Sequence, residues 1–191
     1  MVGILLAAGF SRRFGASNKL LQALPDGCPI GLAAAKRLVA AIPLSIAIVR
    51  PENKALAQLL QEAGLKVFCC GEQDTEMADS LSAAVKLSAD FSESNDGFMI
   101  ALADMPYIDS LTIVAIAAKL REGAAIVVPT YQGKRGHPVG FSAKFRAELE
   151  NLHGDEGARS ILKRYPEDII FLECDDAGIL ADIDTPADLR L

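Results

Sequence analysis

Two rhythms alternate along this chain. Short apolar runs with few polar positions fall at 2–7, 44–49, 66–69, 98–102, 125–128 and 169–172. Between them, 32–41, 54–63, 80–89 and 111–120 carry apolar residues at helical spacing. The first kind reads as strands and the second as amphipathic helices. Alternation from the start predicts a mainly parallel sheet with helices on both faces, an α/β fold in three layers. Strands so poor in polar residues fit burial on both sides. The stretch 90–97 is polar and reads as a surface loop. The rhythm breaks at 130–141, where Gly133, Gly136, Pro138 and Gly140 crowd together. This stretch reads as a loop or hairpin laid over the sheet. With no repeat and no low-complexity linker, the 191 residues are expected to form a single domain, 1–191.

Composition narrows the partners. Hydrophobic residues make up 51 % and charged residues 23 %, an ordinary globular balance. Nineteen Lys and Arg against 25 Asp and Glu leave a net charge of −6. A surface of that sign repels nucleic acid and acidic membranes, so a polyanionic substrate needs a local cluster of bases. Cys28, Cys69, Cys70 and Cys174 show no CxxC spacing and read as reduced thiols with no zinc site. The apolar start at 1–8 is too short to span a bilayer and lacks a signal-peptide pattern, which predicts a cytoplasmic protein.

Ligands of open α/β sheets lie at the carboxyl ends of the strands. The first strand runs into Ala7-Ala8-Gly9-Phe10-Ser11-Arg12-Arg13-Phe14-Gly15, with Lys19 shortly after. Small residues there let a ligand approach the backbone, and successive amides in such a turn make an anion nest. Arg13 and Lys19 add a bidentate fork and a point charge, a combination suited to a triphosphate. The loop lacks the Gly-Lys-Ser/Thr of a Walker loop and the second glycine of GxGxxG, which excludes a dinucleotide-dependent dehydrogenase. The plainer alternative is a strand-to-helix turn with solvated bases.

Two acidic segments can serve a hard cation. Asp104, in Ala101-Leu102-Ala103-Asp104-Met105-Pro106-Tyr107, follows a strongly apolar strand. Magnesium takes one or two carboxylates plus phosphate oxygens. A turn-forming aspartate is the alternative. Asp182 and Asp184 alternate with Ile183 as on a short strand, and Thr185-Pro186 resembles a helix start with Thr185 as its cap. Within Gly133-Lys134-Arg135-Gly136-His137-Pro138, Arg135 can hold a phosphate and His137 titrates near neutrality. A lone histidine before proline is more often structural. Asp155, followed by Glu156, also reads as an N-cap.

Taken together, these segments resemble the MobA-like nucleotidyltransferases. Leu6-Ala7-Ala8-Gly9-x-Ser11-x-Arg13-Phe14-Gly15-x-x-x-Lys19-Leu20 resembles the signature loop, Asp104-Met105-Pro106 the Asp-Met-Pro motif, and Asp182-x-Asp184-Thr185-Pro186-x-Asp188 a later motif of that family. The resemblance implies a Rossmann-like (GT-A-type) fold. It implies nucleotide binding by Leu6, Ala7, Ala8, Gly9, Arg13, Lys19, Ser80 and Asp104, with Arg13, Lys19 and Asp104 as catalytic residues. It further implies Mg2+ held by Asp104, with Asp184 as second ligand. Gly133–Phe141 and Gly154–Arg159 resemble segments around the acceptor in the cytidylyltransferase branch, which implies acceptor binding by Arg135, His137, Asp155 and Arg159.

The family often reads Gly-Met-x-x-Ser-Leu where this chain has Glu76-Met77-Ala78-Asp79-Ser80-Leu81, a departure near the base. Leu-Ala-Ala-Gly at 6–9 resembles the cytidylyl branch. CTP is therefore the expected donor and a molybdopterin-type cofactor the expected acceptor, with a molybdoenzyme or its chaperone as a protein partner. GTP as donor, a sugar or polyol phosphate as acceptor, and a non-catalytic protein that carries or inserts the cofactor are the alternatives.

Overall fold

A computed structural model describes residues 1–9, 18–71, 77–154 and 157–190, the last without its side chain. The strands are β1 (Val2–Ala7), β2 (Ser45–Val49), β3 (Lys66–Cys69), β4 (Phe98–Leu102), β5 (Ile126–Tyr131), β6 (Lys134–Arg135), β7 (Val139–Phe141) and β8 (Ile169–Glu173). The helices are α1 (Ile30–Ala41), α2 (Lys54–Glu62), α3 (Met77–Leu87), α4 (Ser110–Arg121), α5 (Arg146–Glu150) and α6 (Arg159–Arg164). One sheet runs β3-β2-β1-β4-β7-β5, with β6 and β8 both pairing with β5. The β3, β2, β1 and β4 ladders are parallel, as is β5 with β8. The pairs β4–β7, β5–β7 and β5–β6 are antiparallel.

Side chains of β1 alternate between two apolar layers, as a strand covered on both faces requires. Leu5 and Ala7 pack with Leu38 of α1, Leu56 and Leu60 of α2 and Ile116 of α4. Val2 and Ile4 pack on the other face with Leu81 and Val85 of α3, Leu149 of α5 and Ile161 of α6. The fold is thus a mixed α/β sandwich, mostly parallel, with helices on both sides. Fully burying a residue of the Val, Leu or Ile kind contributes roughly 1.5–3 kcal/mol, so these layers supply much of the driving force.

The stretch 130–141 differs from its expected place. It does form a hairpin, but within the sheet rather than over it. Val139 and Phe141 are buried, and β7 fills the gap between β4 and β5. Gly140 is what allows it: a Cβ there would meet Leu120 Cδ1 at 2.6 Å and Ile116 Cγ2 at 2.8 Å, so α4 lies directly on its backbone. A three-residue strand centred on glycine has almost no alternation to read, and the crowd of glycines around it signals a loop. The same limit hides α5 and α6, each too short for a helical period. The segment 182–184 is not a strand; it has no regular structure and is tied by Ile183 N–H to Asp104 O, just past β4.

Candidate functional site

The ends of β1 and β4 lie side by side, because Ala103 N–H donates to Leu6 O at 3.1 Å just beyond the β1–β4 ladder. Beyond β1, Ala7 and Ala8 are buried, while Gly9 is exposed and a Cβ on it would meet nothing within 4 Å among the described residues. Beyond β4, Asp104 sits in a turn that its own main chain shares with the chain's end. Ile183 N–H donates to Asp104 O at 2.9 Å, and the Ile183 side chain is 1 % exposed in the apolar layer. That buried isoleucine fixes Asp184 next to Asp104.

Lys19 completes the cluster. Asn18 Oδ1 accepts from Leu20 N–H at 3.0 Å and caps a single turn, Lys19–Leu21, with Leu20 buried beneath it. From this turn the Lys19 ammonium donates to Asp104 Oδ2 at 2.9 Å and to Asp184 Oδ1 at 3.2 Å. Burial works against its charge, but the bonds and charges of Asp104 and then Asp184 outweigh it and hold the ammonium above the ordinary lysine value. Lys19, Asp104 and Asp184, which lie far apart in sequence, therefore form one constellation at the carboxyl ends of the strands.

This donor set suits a hard divalent cation. Two carboxylate oxygens already converge on one cationic atom, the ammonium nitrogen. Among the described residues no group of three or more His, Cys, Asp and Glu is arranged for a metal. The remaining ligands of a magnesium-like ion would then be phosphate oxygens and water, as is usual for that ion.

The expected acceptor residues are partly brought to this place. The charges of Asp104, Asp182 and Arg159 all act on His137. The His137 main chain donates to Ile179 O at 3.0 Å, and its Nδ1 is buried without a hydrogen-bond partner among the described residues. Arg135 is exposed on β6 with its guanidinium 4.5 Å from the centre of the Phe171 ring of β8. Ser80 is buried in the first turn of α3. Arg13, Asp155 and Glu76 lie outside the described residues, as does Ser11.

The reading of Thr185 as a helix cap is corrected. Its hydroxyl does not accept from a helix N–H; it donates to Asp188 Oδ2 at 2.9 Å. The same oxygen accepts from Thr185 N–H at 2.7 Å and Asp184 N–H at 3.1 Å. The Thr185 bonds, and then that of Asp184, hold the Asp188 carboxyl below the ordinary aspartate value. Asp188 thus ties down the backbone that carries Asp184.

Two further residues position the site and escaped the sequence reading. Arg50, just past β2, donates from Nε to Ala8 O at 3.0 Å and braces the end of β1. Its signal was its place immediately after an apolar strand, the rule that also singles out Gly9 and Asp104. Asp176 accepts from Asp109 N–H at 2.9 Å, Thr112 Oγ1 at 2.7 Å and Gly178 N–H at 2.9 Å. It fastens the chain after β8 to the start of α4 and so directs it towards Ile183. Only an Asp-x-Gly turn pattern marks it in the sequence.

His137 carries a measurable consequence. Burial first, and then the Arg159 guanidinium, hold its imidazole below the ordinary histidine value, against the pull of Asp104 and Asp182. As pH falls, the unfolded chain takes up this proton before the folded one does. The residue therefore costs no stability above about pH 6.5, and stability is lost as pH falls from there through the depressed value. A His137→Gln variant is expected to lose less unfolding free energy than the wild type between pH 7 and pH 5 in urea titrations. Equal losses in the two proteins would contradict it.

A mostly parallel sheet whose strand ends join a small-residue loop to a lysine and two carboxylates is the arrangement of a nucleotide-handling α/β enzyme. Comparison with known proteins narrows the class. Residues 3–169 match the MobA-like NTP transferase domain. The chain is 32 % identical over 196 residues to the purine catabolism protein PucB of Bacillus subtilis (strain 168), covering 97 % of this chain and 92 % of PucB. Among solved structures it is similar to Rv0371c from Mycobacterium tuberculosis H37Rv, with 26 % identity, a TM-score of 0.84, and coverage of 100 % of this chain and 96 % of that one. A manganese complex of Rv0371c is similar at 25 % identity and a TM-score of 0.80, over 99 % of this chain and 95 % of that one. The chain belongs to the MobA-like NTP transferase family, and it is a nucleotidyltransferase-type enzyme. Among the described residues no helix is long and apolar enough to cross a membrane.

Proposed function

We propose that this enzyme transfers CMP from CTP to the phosphate of a molybdopterin-type cofactor and releases pyrophosphate. The observation that carries the reading is the meeting of Lys19, Asp104 and Asp184 at the carboxyl ends of β1 and β4. The triphosphate lies along residues 7–19, where Gly9 permits close approach and Arg13 and Lys19 face its charge. Asp104 and Asp184 hold Mg2+, which when bound neutralises phosphate oxygens. An acceptor phosphate oxygen forms a bond to the α-phosphorus as the bond to pyrophosphate breaks, and Lys19 and Arg13 take up the charge of the leaving group. Because a phosphate is already an anion, no general base is required. Arg135, His137, Asp155 and Arg159 hold the acceptor. The work of the protein is then positioning and charge stabilisation.

The metal finds support in the manganese complex of Rv0371c, and the cytidylyl choice in the Leu-Ala-Ala-Gly run at 6–9. Reading a base by buried hydrogen bonds penalises the wrong base strongly, because polar groups are then left unpaired. Pyrophosphate release with CTP, GTP, ATP and UTP, each with and without molybdopterin, is the test. CTP is expected to be faster than GTP by about tenfold or more. A GTP rate equal to or above that of CTP would reassign the donor. Acceptor-dependent release with a sugar or polyol phosphate alone would reassign the acceptor. Binding of the cofactor with no pyrophosphate release from any triphosphate would favour a carrier protein.

A further inference from the structure

We propose that Lys19 acts as an interlock between metal and nucleotide: without nucleotide its ammonium occupies the place between Asp104 and Asp184 that the divalent cation takes during the reaction. The inference rests on the proposed role of Asp104 and Asp184 as metal ligands and goes beyond it by giving Lys19 two positions.

The geometry is that of a substitute cation. The ammonium reaches one oxygen of each carboxylate, at 2.9 and 3.2 Å, from a side chain that is 13 % exposed. Lysine suits exchange better than arginine would. Its charge is compact, and four methylene groups let it swing, whereas a bidentate guanidinium would lock one carboxylate. The capped turn at Asn18–Leu21 keeps the lysine backbone fixed while its head moves. A metal ion arriving alone has to displace two charge-assisted hydrogen bonds. A triphosphate arriving with its metal gives the ammonium new anionic oxygens to bind as it leaves the carboxylates. Metal and nucleotide therefore each make the other's binding easier, and linkage requires the two effects to be equal. The ammonium also keeps two nearby carboxylates from repelling each other while the site waits. The device opposes capture of a free metal ion and favours entry of the metal–nucleotide complex.

The probe is Mn2+ alone, measured by loss of the free-ion electron paramagnetic resonance signal on titration with the full chain. Wild type, Lys19→Met and Lys19→Gln are compared, each with and without Asp104→Asn, and folding of each is checked by circular dichroism. Both lysine variants are expected to bind Mn2+ about tenfold or more tightly than the wild type, since a ligand gains what the displaced competitor no longer costs. Asp104→Asn is expected to abolish that gain. Unchanged or weaker Mn2+ binding in the folded lysine variants, with Asp104→Asn still weakening it, overturns the interlock and leaves the metal site standing. Mn2+ binding that ignores Asp104→Asn in every background overturns the metal-site assignment, and the interlock with it.

Discussion

Asp104→Asn is expected to lower turnover by about a thousandfold while leaving the protein folded. The carboxylate follows β4, at the sheet edge where β1 also ends, and is bonded to Lys19 at 2.9 Å. Its main chain, not its side chain, holds the chain's end in place, through Asp104 O and the Ile183 amide. An amide of the same shape preserves that packing and removes the negative charge. A metal-bound phosphoryl centre draws several kcal/mol of transition-state stabilisation from such a charge, and about 4 kcal/mol is a factor of a thousand in rate. The side chain is 26 % exposed, so the neutral amide meets water, and Lys19 keeps its bond to Asp184 at 3.2 Å. Turnover is measured as pyrophosphate release at saturating magnesium, and folding by thermal melting. Near wild-type turnover would refute the assignment of Asp104 to the metal. A collapse of the melting temperature would show that the residue is structural instead.

The contrast between the two carboxylates shows what was legible in the sequence. Asp104 follows a five-residue apolar strand, and strand ends at the carboxyl edge of a parallel sheet are where ligands bind. Its position could be read from the strand alone, and so could that of Gly9 just past β1. Asp184 offers no such cue. Its nearness to Asp104 depends on Asp176 fastening the chain to α4, on Ile183 entering the apolar layer, and on Asp188 gripping the backbone at 184–185. These are long-range or irregular contacts without a period; the residues marked an acidic segment at 182–184, and the resemblance to a family motif singled out Asp184 within it. Strand β7 was hidden for a related reason. Its central glycine, Gly140, is there because α4 packs on it, which is a fact of tertiary structure that in sequence looks like a loop.

The charge balance follows the same logic. A net charge of −6 does not oppose a polyanionic substrate if the cations are placed where the substrate enters. Lys19 and Arg50 both stand at that edge, yet each also makes an internal contact, with Asp104 and Asp184 or with Ala8 O.

Ile183→Ala is expected to separate the placing of Asp184 from its chemistry. Ile183 is almost wholly buried, in the same apolar layer as Leu5 and Ile113. Truncating a buried isoleucine to alanine costs about 2–5 kcal/mol through lost burial and the cavity left behind. For a chain of this size, 1 kcal/mol moves the melting temperature by roughly 2–4 °C, so a fall of about 4–20 °C follows if the cavity does not collapse. The loss is not confined to stability. With its anchor weakened, the segment holding Asp184 no longer has a fixed distance to Asp104, and turnover should fall although both carboxylates remain. Asp184→Asn provides the comparison. That side chain is 43 % exposed, so its loss should reduce turnover with a far smaller change in melting temperature. Scanning calorimetry and pyrophosphate release on both variants decide the matter. An Ile183→Ala protein with unchanged melting would mean that the chain's end is not docked as described. One that melts lower yet turns over at the wild-type rate would mean that Asp184 takes no part in the reaction.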